Sequence, residues 1–330
     1  MNLHTLKWLP FCAALLLITP VVWAQTPTPT PGVKHYKFKI VNPNTNAETS
    51  VRGINNYEIF VGDTASEAQF ANNTENGFVA KESWLQQFSV PKSYGATDTD
   101  ANDISNRNVI LGMYDIRSTD PLVDGDHGFL LDEKGFHKLP DPDFTVYDRR
   151  PDWNGINAEG EIVGIAFNLT TFKNDSFILE DGNFTYYQGS QISSAYGTLE
   201  FNAINDREPE AIVGEVQDAT TGTSHGVLFK AGKFYVFDFP GAFDTTAFGV
   251  NNKGDIVGSY TDPVTFVDHG FLLKDFPEHP KWFTVDSGNP TYPDTTIRTI
   301  NDQGVIGGVL ATGGFGPHTE VGFVAEPKDR

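Results

Sequence analysis

The stretch GVNNKGDIVGSY, residues 249–260, decides the fold because altered copies of it recur along the chain. Related stretches are RGINNYEIFVG at 52–62, GINAEGEIVG at 155–164 and TINDQGVIGG at 299–308. Aligned on the Ile or Val that precedes Asn or Ser, six copies place this residue at 54, 104, 156, 204, 250 and 300. Repetition at intervals of about fifty residues predicts one repeat domain, residues 34–330, with nothing left over for a second domain.

Each copy contains four short β-strand patterns separated by turn residues. In the fifth copy they are TTAFGVN, DIVGSY, HGFLL and KWFTVD, with the turn NNKG between the first two. Fourth strands of other copies are predicted at FTVYD (144–148), FTYY (184–187) and KFYVFD (233–238). Four strands per period without a helical pattern are typical of a propeller blade, whereas the rungs of a stacked β-helix repeat at a shorter period. The predicted fold is an all-β, six-bladed β-propeller of four-stranded blades.

The two ends of the repeat region complement each other. The sixth copy ends at GFVAEPKDR, residues 322–330, and lacks a fourth strand. KHYKFKIVNP, residues 34–43, matches the fourth strand KFYVFDFP of the fourth copy. We therefore expect the N-terminal strand to complete the last blade, which closes the ring and removes open sheet edges that promote aggregation.

The first 33 residues have the features of an export signal and a linker. Lys7, the apolar stretch LPFCAALLLITPVV and the sequence VWA before Gln25 predict a signal peptide, residues 1–24. TPTPTPG within residues 25–33 predicts an extended linker. Cleavage near Ala24 removes Cys12, the only cysteine, so we expect a secreted or periplasmic protein without disulfides.

The charge of the chain restricts its partners. There are 23 Lys and Arg against 43 Asp and Glu, a formal net charge of −20. Because contacts with phosphate groups need clustered basic residues, this composition argues against nucleic acid and against anionic lipid. It suits a monomer that does not insert into a membrane and that binds Ca²⁺ or a cationic partner. The alternative is that the charge only keeps the surface solvated.

The motif GVNNKGDIVGSY followed by HGFLL resembles the secreted bacterial repeats of the HAF family, which take their name from a His-Ala-Phe triplet. Here the triplet is His-Gly-Phe at 127–129 and 269–271 and His-Gly-Val at 225–227, and three copies lack the His. The resemblance covers nearly all of the chain after the linker. It implies an extracytoplasmic, propeller-like protein, and it implies no reaction and no catalytic residues.

Repetition also argues against a metal site built from His127, His225 and His269. Equivalent positions in different blades are spread around the ring, so these side chains are not expected to converge. The predicted role of each is a hydrogen bond that ties one strand to its neighbour, and metal binding is the alternative. The Asn that follows the Ile of the motif is predicted to satisfy the backbone of its own turn.

Functional residues are expected in the long, dissimilar loops that share one face of the ring, because variable loops on a rigid scaffold commonly bind ligands. Two acidic groups in these loops offer the oxygen ligands that Ca²⁺ prefers. The first group is Asp98, Asp100 and Asp103, and the second is Asp120, Asp124 and Asp126. The first does not fit an EF-hand loop, and the alternative for both groups is a solvated turn.

The segment RRPDW combines basic, acidic and aromatic residues. An Arg fork binds carboxylates and an indole face stacks on sugars, so Arg149, Arg150, Asp152 and Trp153 could form a lip for a sugar or uronate. The alternative is a salt bridge between blades. Tyr292 and Asp294, in the long loop before the sixth motif, are further candidates for binding.

No motif in the sequence marks a reaction. There is no H-E-x-x-H, Walker loop or cysteine nucleophile. The leading hypothesis is a non-catalytic binding or scaffold module that recognises a glycan, a cell-envelope component or an extracellular protein through its long-loop face. The alternative is an extracellular polysaccharide lyase, glycosidase or Ca²⁺-dependent hydrolase at the channel mouth. That alternative predicts that several carboxylates or a His from non-equivalent positions converge within hydrogen-bond reach, and its candidate side chains are Asp100, Asp103, Arg150, Asp152 and Asp294.

Overall fold

Six β-sheets arranged in a ring make up the protein. The computed structural model describes residues 30–41, 47–66, 75–120, 123–313 and 319–328, and the predicted signal peptide lies outside these ranges. Each sheet has four antiparallel strands, and one sheet carries a fifth, parallel strand. The predicted six-bladed β-propeller is confirmed. Among the described residues, no helix is long and apolar enough to cross a membrane.

Blades are numbered along the chain. Blade 1 contains β3 (Ala47–Ile54), β4 (Phe60–Ser66), β5 (Asn76–Lys81) and β6 (Trp84–Phe88). Blade 2 contains β7 (Asp100–Ile104), β8 (Ile110–Ile116), β9 (Gly125–Asp132) and β10 (Gly135–Lys138). Blade 3 contains β11 (Asp152–Ile156), β12 (Ile162–Asn168), β13 (Lys173–Glu180) and β14 (Asn183–Tyr187).

The second half of the ring follows the same order. Blade 4 contains β15 (Tyr196–Ile204), β16 (Ala211–Asp218), β17 (Ser224–Lys230) and β18 (Lys233–Phe237). Blade 5 contains β19 (Thr245–Val250), β20 (Ile256–Thr261), β21 (Asp268–Lys274) and β22 (Lys281–Val285), with β1 (Gly32–Val33) at its edge. Blade 6 contains β23 (Asp294–Ile300), β24 (Ile306–Ala311), β25 (Glu320–Pro327) and the N-terminal β2 (Tyr36–Val41).

The N-terminal strand closes the ring, as predicted. β2 pairs antiparallel with β25 from Tyr36 opposite Pro327 to Val41 opposite Gly322. Tyr36 and Val41 are buried, and the ring of Phe38 lies 4.9 Å from that of Phe323. The last blade is therefore built from both ends of the propeller domain.

Two details differ from the sequence predictions. Gly32 and Val33, assigned to the linker, pair in parallel with β22, so ordered chain begins before residue 34. The fourth strand of blade 2 is β10 rather than FTVYD at 144–148, because Gly135 turns the chain directly from β9 into β10 with a φ of +113°. FTVYD lies in the long loop that follows, where Tyr147 makes an isolated bridge to Asn168.

The Asn of the motif shapes the turn between the first two strands. Asn251 accepts hydrogen bonds at Oδ1 from the backbone N–H groups of Lys253 and Asp255, both at 3.0 Å. Gly254 takes a φ of +81°, which few other residues adopt without strain. Asn251 also donates to the Asn301 carbonyl of the next blade at 3.0 Å, so the predicted turn role is confirmed and a link between blades is added to it.

The glycine of the IVG element makes room for both a neighbouring strand and an aromatic ring. Each first strand carries a bulge, which in β19 lies between Ala247 and Gly249. A Cβ atom on Gly258 would overlap the carbonyl oxygen of Thr246 and lie 2.7 Å from the ring of Phe271. The Phe271 side chain is fully buried against this glycine. The glycine and the aromatic residue of the motif are therefore one packing unit.

Candidate functional site

The six first strands line a central channel, and the short-turn end of this channel is filled by polar side chains. β3, β7, β11, β15, β19 and β23 contact one another in sequence around the ring. One residue from each of five short turns forms a girdle of side chains: Asn56, Asn106, Asp206, Asn252 and Asp302. Their Oδ1 atoms accept backbone N–H groups of the neighbouring turns at 2.6–2.8 Å. The cavity beside this girdle measures about 60 Å³, which leaves room for a few water molecules only.

The bulge residues of the first strands form a ring deeper in the channel. Asn102, Asn154 and Asn202 each donate to a backbone carbonyl of the next blade, at 2.7, 2.9 and 3.0 Å. The equivalent positions in the other three blades hold Arg52, Phe248 and Arg298. The guanidinium of Arg298 lies 5.4 Å from the ring centre of Phe248. Burial, together with the charge of Arg52, lowers the pKa of Arg298 to about 10.

At the mouth on the long-loop face, three carboxylates from blades 1 and 2 meet. Asp63 lies on β4, Glu75 directly precedes β5, and Asp100 begins β7. One carboxylate oxygen of each residue lies within 4.8 Å of the other two. We call these three residues the mouth cluster. Arg52 donates its Nε–H to Asp63, and the backbone N–H of Glu75 donates to Asp98 at 3.1 Å.

The mouth cluster holds negative charge in a confined space. Burial raises the pKa of the Glu75, Asp98 and Asp100 carboxyl groups above their ordinary values. The charge of Asp63 raises the pKa of Glu75 and of Asp100 further, and Arg52 opposes this effect. Proximity of like charges in a partly desolvated site is the physical reason.

Arg150 lies in the same mouth, among the second predicted acidic group. Its guanidinium is 3.5 Å from Asp115, 3.8 Å from Asp124 and 3.3 Å from Asp126. Burial raises the pKa of Asp126 to about 7, although Arg150 lowers it. These ion pairs join blade 3 to blade 2, which is the alternative role expected for Arg150. A pocket of about 180 Å³ between the two groups is lined by Asp98, Asp100, Met113, Asp115, Arg117, Asp126 and Arg150.

Two predicted site residues have other roles. Trp153 is 0% exposed and packs against Phe177 and Phe184, so it is not available to stack on a sugar, and its place in the predicted lip is wrong. Asp103 accepts the backbone N–H groups of Ile104 and Ile156 at 2.8 and 2.9 Å, so it links blades 2 and 3 and does not join Asp98 and Asp100. Burial raises the pKa of Asp103 to about 7.

The remaining predicted residues are distributed around the ring. Arg149 lies over the ring of Phe144 at 4.5 Å, and Asp152 is exposed at the start of β11. Asp120 is exposed, and its backbone N–H donates to Ser118 at 3.0 Å. In blade 6, across the ring from blade 3, Tyr292 is half-buried against the core, and Asp294 accepts the backbone N–H of Asp268 at 3.3 Å. The five side chains named for the enzyme alternative therefore do not converge as a set.

Sequence reasoning missed Asp63 and Glu75. Asp63 follows the IVG-type glycine of the first copy, a position that reads as an ordinary strand residue. Glu75 stands in a loop with no motif. One signal was present, because only two of the six copies carry a carboxylate at this strand position. They are Asp63 and Glu215, and the other four residues are Met113, Ile165, Ser259 and Val309. At the position after the IVG-type glycine, Asp63 and Glu215 thus depart from the uncharged residues of the other four copies.

The predicted role of the three histidines is confirmed by their contacts. His127, His225 and His269 pair through Nδ1 with an Asp that follows the fourth strand of the same blade, at 2.7, 2.7 and 2.9 Å. The partners are Asp141, Asp238 and Asp286. Blade 3 replaces the pair by Asp175 and Gln188, and blade 1 by Asn76 and Ser89. The hydrogen bond between the third strand and the end of the fourth is therefore kept while its chemistry changes.

A second acidic pair lies on blade 4, where Glu200 of β15 stands directly opposite Glu215 of β16. Glu200 accepts a hydrogen bond from Asn174 at 2.7 Å, and Glu215 accepts one from Thr246 at 2.5 Å. Burial raises the pKa of Glu200 to about 7, and the neighbouring Glu215 contributes to the shift. Asp152 adds negative charge from blade 3.

This pair predicts a pH dependence of stability. Because the folded-state pKa of Glu200 is above its value in the unfolded chain, folding favours the protonated form, and this contribution is lost as pH rises from about 4.5 through 7. Glu215→Gln keeps an acceptor for Thr246 and removes the neighbouring charge. Urea unfolding should show the variant about 1 kcal/mol more stable than the parent at pH 8 and equal to it near pH 4.5. The exposed Glu133→Gln serves as a control and should show no difference at either pH; a Glu215→Gln variant that is less stable at pH 8 would contradict the prediction.

Apolar side chains project from the long-loop face over blades 3 to 5. In the loops between second and third strands, Asn168, Asp218 and Asp262 accept the backbone N–H groups two and three residues ahead. The residue four positions ahead has a positive φ in all three loops and is Phe172, Gly222 and Phe266 respectively. We call the exposed apolar residues of this region the apolar rim: Leu169, Phe172, Phe243, Val264 and Phe266.

One solved structure of very different sequence supports the fold class. No protein-family model matches the chain, and no curated protein matches its sequence. Among solved structures, TolB from Acinetobacter baumannii superposes with a TM-score of 0.51 at 8% identity, over 87% of this chain and 66% of that one. Hadza microbial sialidase Hz136 gives a TM-score of 0.46 at 8% identity, with the same coverages. The chain spans about two thirds of the length of either protein, and the likeness to TolB supports the propeller architecture alone.

Proposed function

We propose that the protein is a binding module outside the cytoplasm and that its long-loop face takes up an extracellular or envelope protein. The observation that carries this proposal is the pair Phe172 and Phe266, which are 74% and 62% exposed and have φ values of 55° and 54°. A bulky residue in this backbone region is strained, at a cost of roughly 1–3 kcal/mol. Blade 4 has Gly222 at the same position of the same turn, where the strain is avoided.

Stability does not account for these two rings. An exposed Phe gains little from burial, so the strain in the two loops is not offset within the folded chain. Exposed aromatic residues on a loop face are typical of surfaces that become buried against a partner. The apolar rim thus supports a role in recognition.

The chemistry of the face favours a cationic, apolar protein surface over a glycan. Acidic residues accompany the rim, namely Asp218, Asp244, Asp262 and Asp268. Complementary charge would steer a basic partner to this face. Trp153, the side chain predicted to stack on a sugar, is buried, so the glycan hypothesis lacks that support.

Photo-crosslinking tests the proposal directly. p-Benzoylphenylalanine in place of Val264, which is 83% exposed, should give a covalent complex with a partner protein in the producing cells. The matched control places the same residue at Tyr57, which is 58% exposed on the opposite face, and should give none. Phe172→Gly with Phe266→Gly should lower the yield at position 264 at least fivefold without lowering the free energy of unfolding, because relief of the backbone strain outweighs the greater freedom of glycine in the unfolded chain. Equal yields at positions 264 and 57, or a marked loss of stability in the double variant, would contradict the proposal.

A hydrolase at the channel mouth is the second candidate function, and the mouth cluster is the observation that favours it. Carboxylates from non-equivalent positions of blades 1 and 2 converge there, with Arg52 and Arg150 close by. Clusters of carboxylates with shifted pKa values occur at catalytic sites. Its test is turnover of chromogenic phosphate esters and glycosides with and without Ca²⁺, with Asp100→Asn as the inactive comparison; no turnover by the parent protein would remove this candidate.

A further inference from the structure

The mouth cluster has the geometry of a cation site. Asp63, Glu75 and Asp100 come from two blades, and one oxygen of each lies within 4.8 Å of the others. Two oxygens on opposite sides of a Ca²⁺ ion are about 5 Å apart, given Ca–O distances of 2.3–2.6 Å. One ion can therefore reach all three carboxylates.

Two buried oxygen atoms at this place lack a hydrogen-bond partner among the described residues. They are Asp100 Oδ1 and Ser50 Oγ, in residues that are 7% and 6% exposed. Ser50 stands directly opposite Asp63 in the pairing of β3 with β4, so the two side chains share a face of the sheet. Buried polar atoms are almost always satisfied, and a bound ion or water commonly explains those that have no partner in the protein.

The charge balance of the cluster also calls for a cation. When all three are ionised, as they are when they bind a cation, the carboxylates carry three negative charges, and Arg52, which donates to Asp63, supplies one positive charge. Two negative charges remain at a buried site, and a divalent cation matches them. The second predicted acidic group differs in this respect, because Arg150 already lies among its carboxylates.

We propose that Asp63, Glu75, Asp100 and the hydroxyl of Ser50 bind one Ca²⁺ ion at the channel mouth. All four donors are oxygen atoms, which suits a hard cation and not the softer metals that prefer imidazole or thiolate. Water molecules complete the six to eight ligands that Ca²⁺ requires. The ion links blade 1 to blade 2 beside the pocket of the long-loop face.

Calorimetric titration and thermal unfolding test this site. After treatment with EDTA, the full-length folded protein should bind one Ca²⁺ with a Kd of about 1 mM or lower, as in extracellular modules. Calcium at about ten times its Kd should raise Tm by about 2 °C. No heat of binding and no shift in Tm at 10 mM Ca²⁺ would overturn the proposal.

The Asp100→Asn variant shows whether Asp100 binds the metal ion or only stabilises the fold. We expect it to weaken Ca²⁺ binding at least tenfold, and to have a Tm in EDTA equal to or above that of the parent because an uncompensated buried charge is gone. Asp124→Asn, in the group occupied by Arg150, is the matched control and should bind Ca²⁺ within twofold of the parent.

Two results would reject this assignment. One is loss of binding in Asp124→Asn with normal binding in Asp100→Asn, which would place the ion in the other loop. The other is a large fall in Tm for Asp100→Asn in EDTA with unchanged Ca²⁺ affinity. If Asp100→Asn does not fold, Glu75→Gln replaces it with the same expectations. The Phe172→Gly and Phe266→Gly substitutions should leave Ca²⁺ affinity unchanged, so this site and the protein-binding face can fail separately.

Discussion

A chain that starts at Pro43 instead of Lys34 should lose at least about 5 kcal/mol of stability, or fail to fold as a monomer. The truncation removes β2, whose side chains of Tyr36, Phe38 and Val41 are buried or packed on the core of blade 6. Burial of each such side chain contributes about 1.5–3 kcal/mol, and their sum is comparable with the whole net stability of a domain. Blade 6 would also present β25 as an open edge, which favours aggregation. Chemical unfolding and size-exclusion chromatography measure both effects.

The matched control is a chain that starts at Lys34. It lacks β1, which has two residues, of which Val33 is mostly exposed. Its Tm should lie within about 2 °C of the parent, since little apolar area is lost. A Pro43 chain that is as stable as the Lys34 chain would show that ring closure by β2 does not hold the propeller together.

Gly258→Ala should destabilise the protein by about 3 kcal/mol or more, although it adds only one methyl group. The new Cβ would overlap the carbonyl oxygen of Thr246, which the bulge in β19 brings over Gly258, and would press on Phe271. Neither the strand backbone nor a fully buried ring can move away cheaply, so the substitution exceeds ordinary overpacking. Urea unfolding monitored by circular dichroism gives the change.

Gly197→Ala provides the comparison. Gly197 is also a buried strand glycine, but the nearest atoms to its added Cβ are at 3.5 Å, at the flexible end of the Lys173 side chain. We expect a change within about 0.5 kcal/mol. Equal losses for the two variants would mean that glycine content, and not the close approach at the bulge, sets the cost.

The fold was predictable because its determinants are local and repeated. The glycine of the IVG element recurs in all six copies about every fifty residues, the capping Asn in five and the turn glycine in three, so weak local signals reinforce one another. The closing strand was predictable for the same reason, as its pattern matched a strand that the last copy lacked. The resemblance to HAF repeats stays a prediction, because no family model matches the chain.

The blade 2 assignment and the position of Trp153 show where pattern reading fails. FTVYD and GFHK both fit a strand, and only the direct turn at Gly135 selects the second. Trp153 precedes the bulge residue Asn154, and a bulge breaks the alternation that tells inward from outward positions. A short window therefore could not tell whether the indole faces solvent or the core.

The short-range sequence patterns of this protein determine its architecture, whereas its candidate sites depend on tertiary structure. Ser50 lies beside Asp63 because β3 pairs with β4. Asp63 and Asp100 lie on strands of different blades, so their convergence follows from the spacing of blades around the ring. The same holds for Arg150, whose partners belong to the preceding blade. Turn and packing preferences act over a few residues, but the desolvation and charge balance of a site are set by groups that meet only when the ring closes.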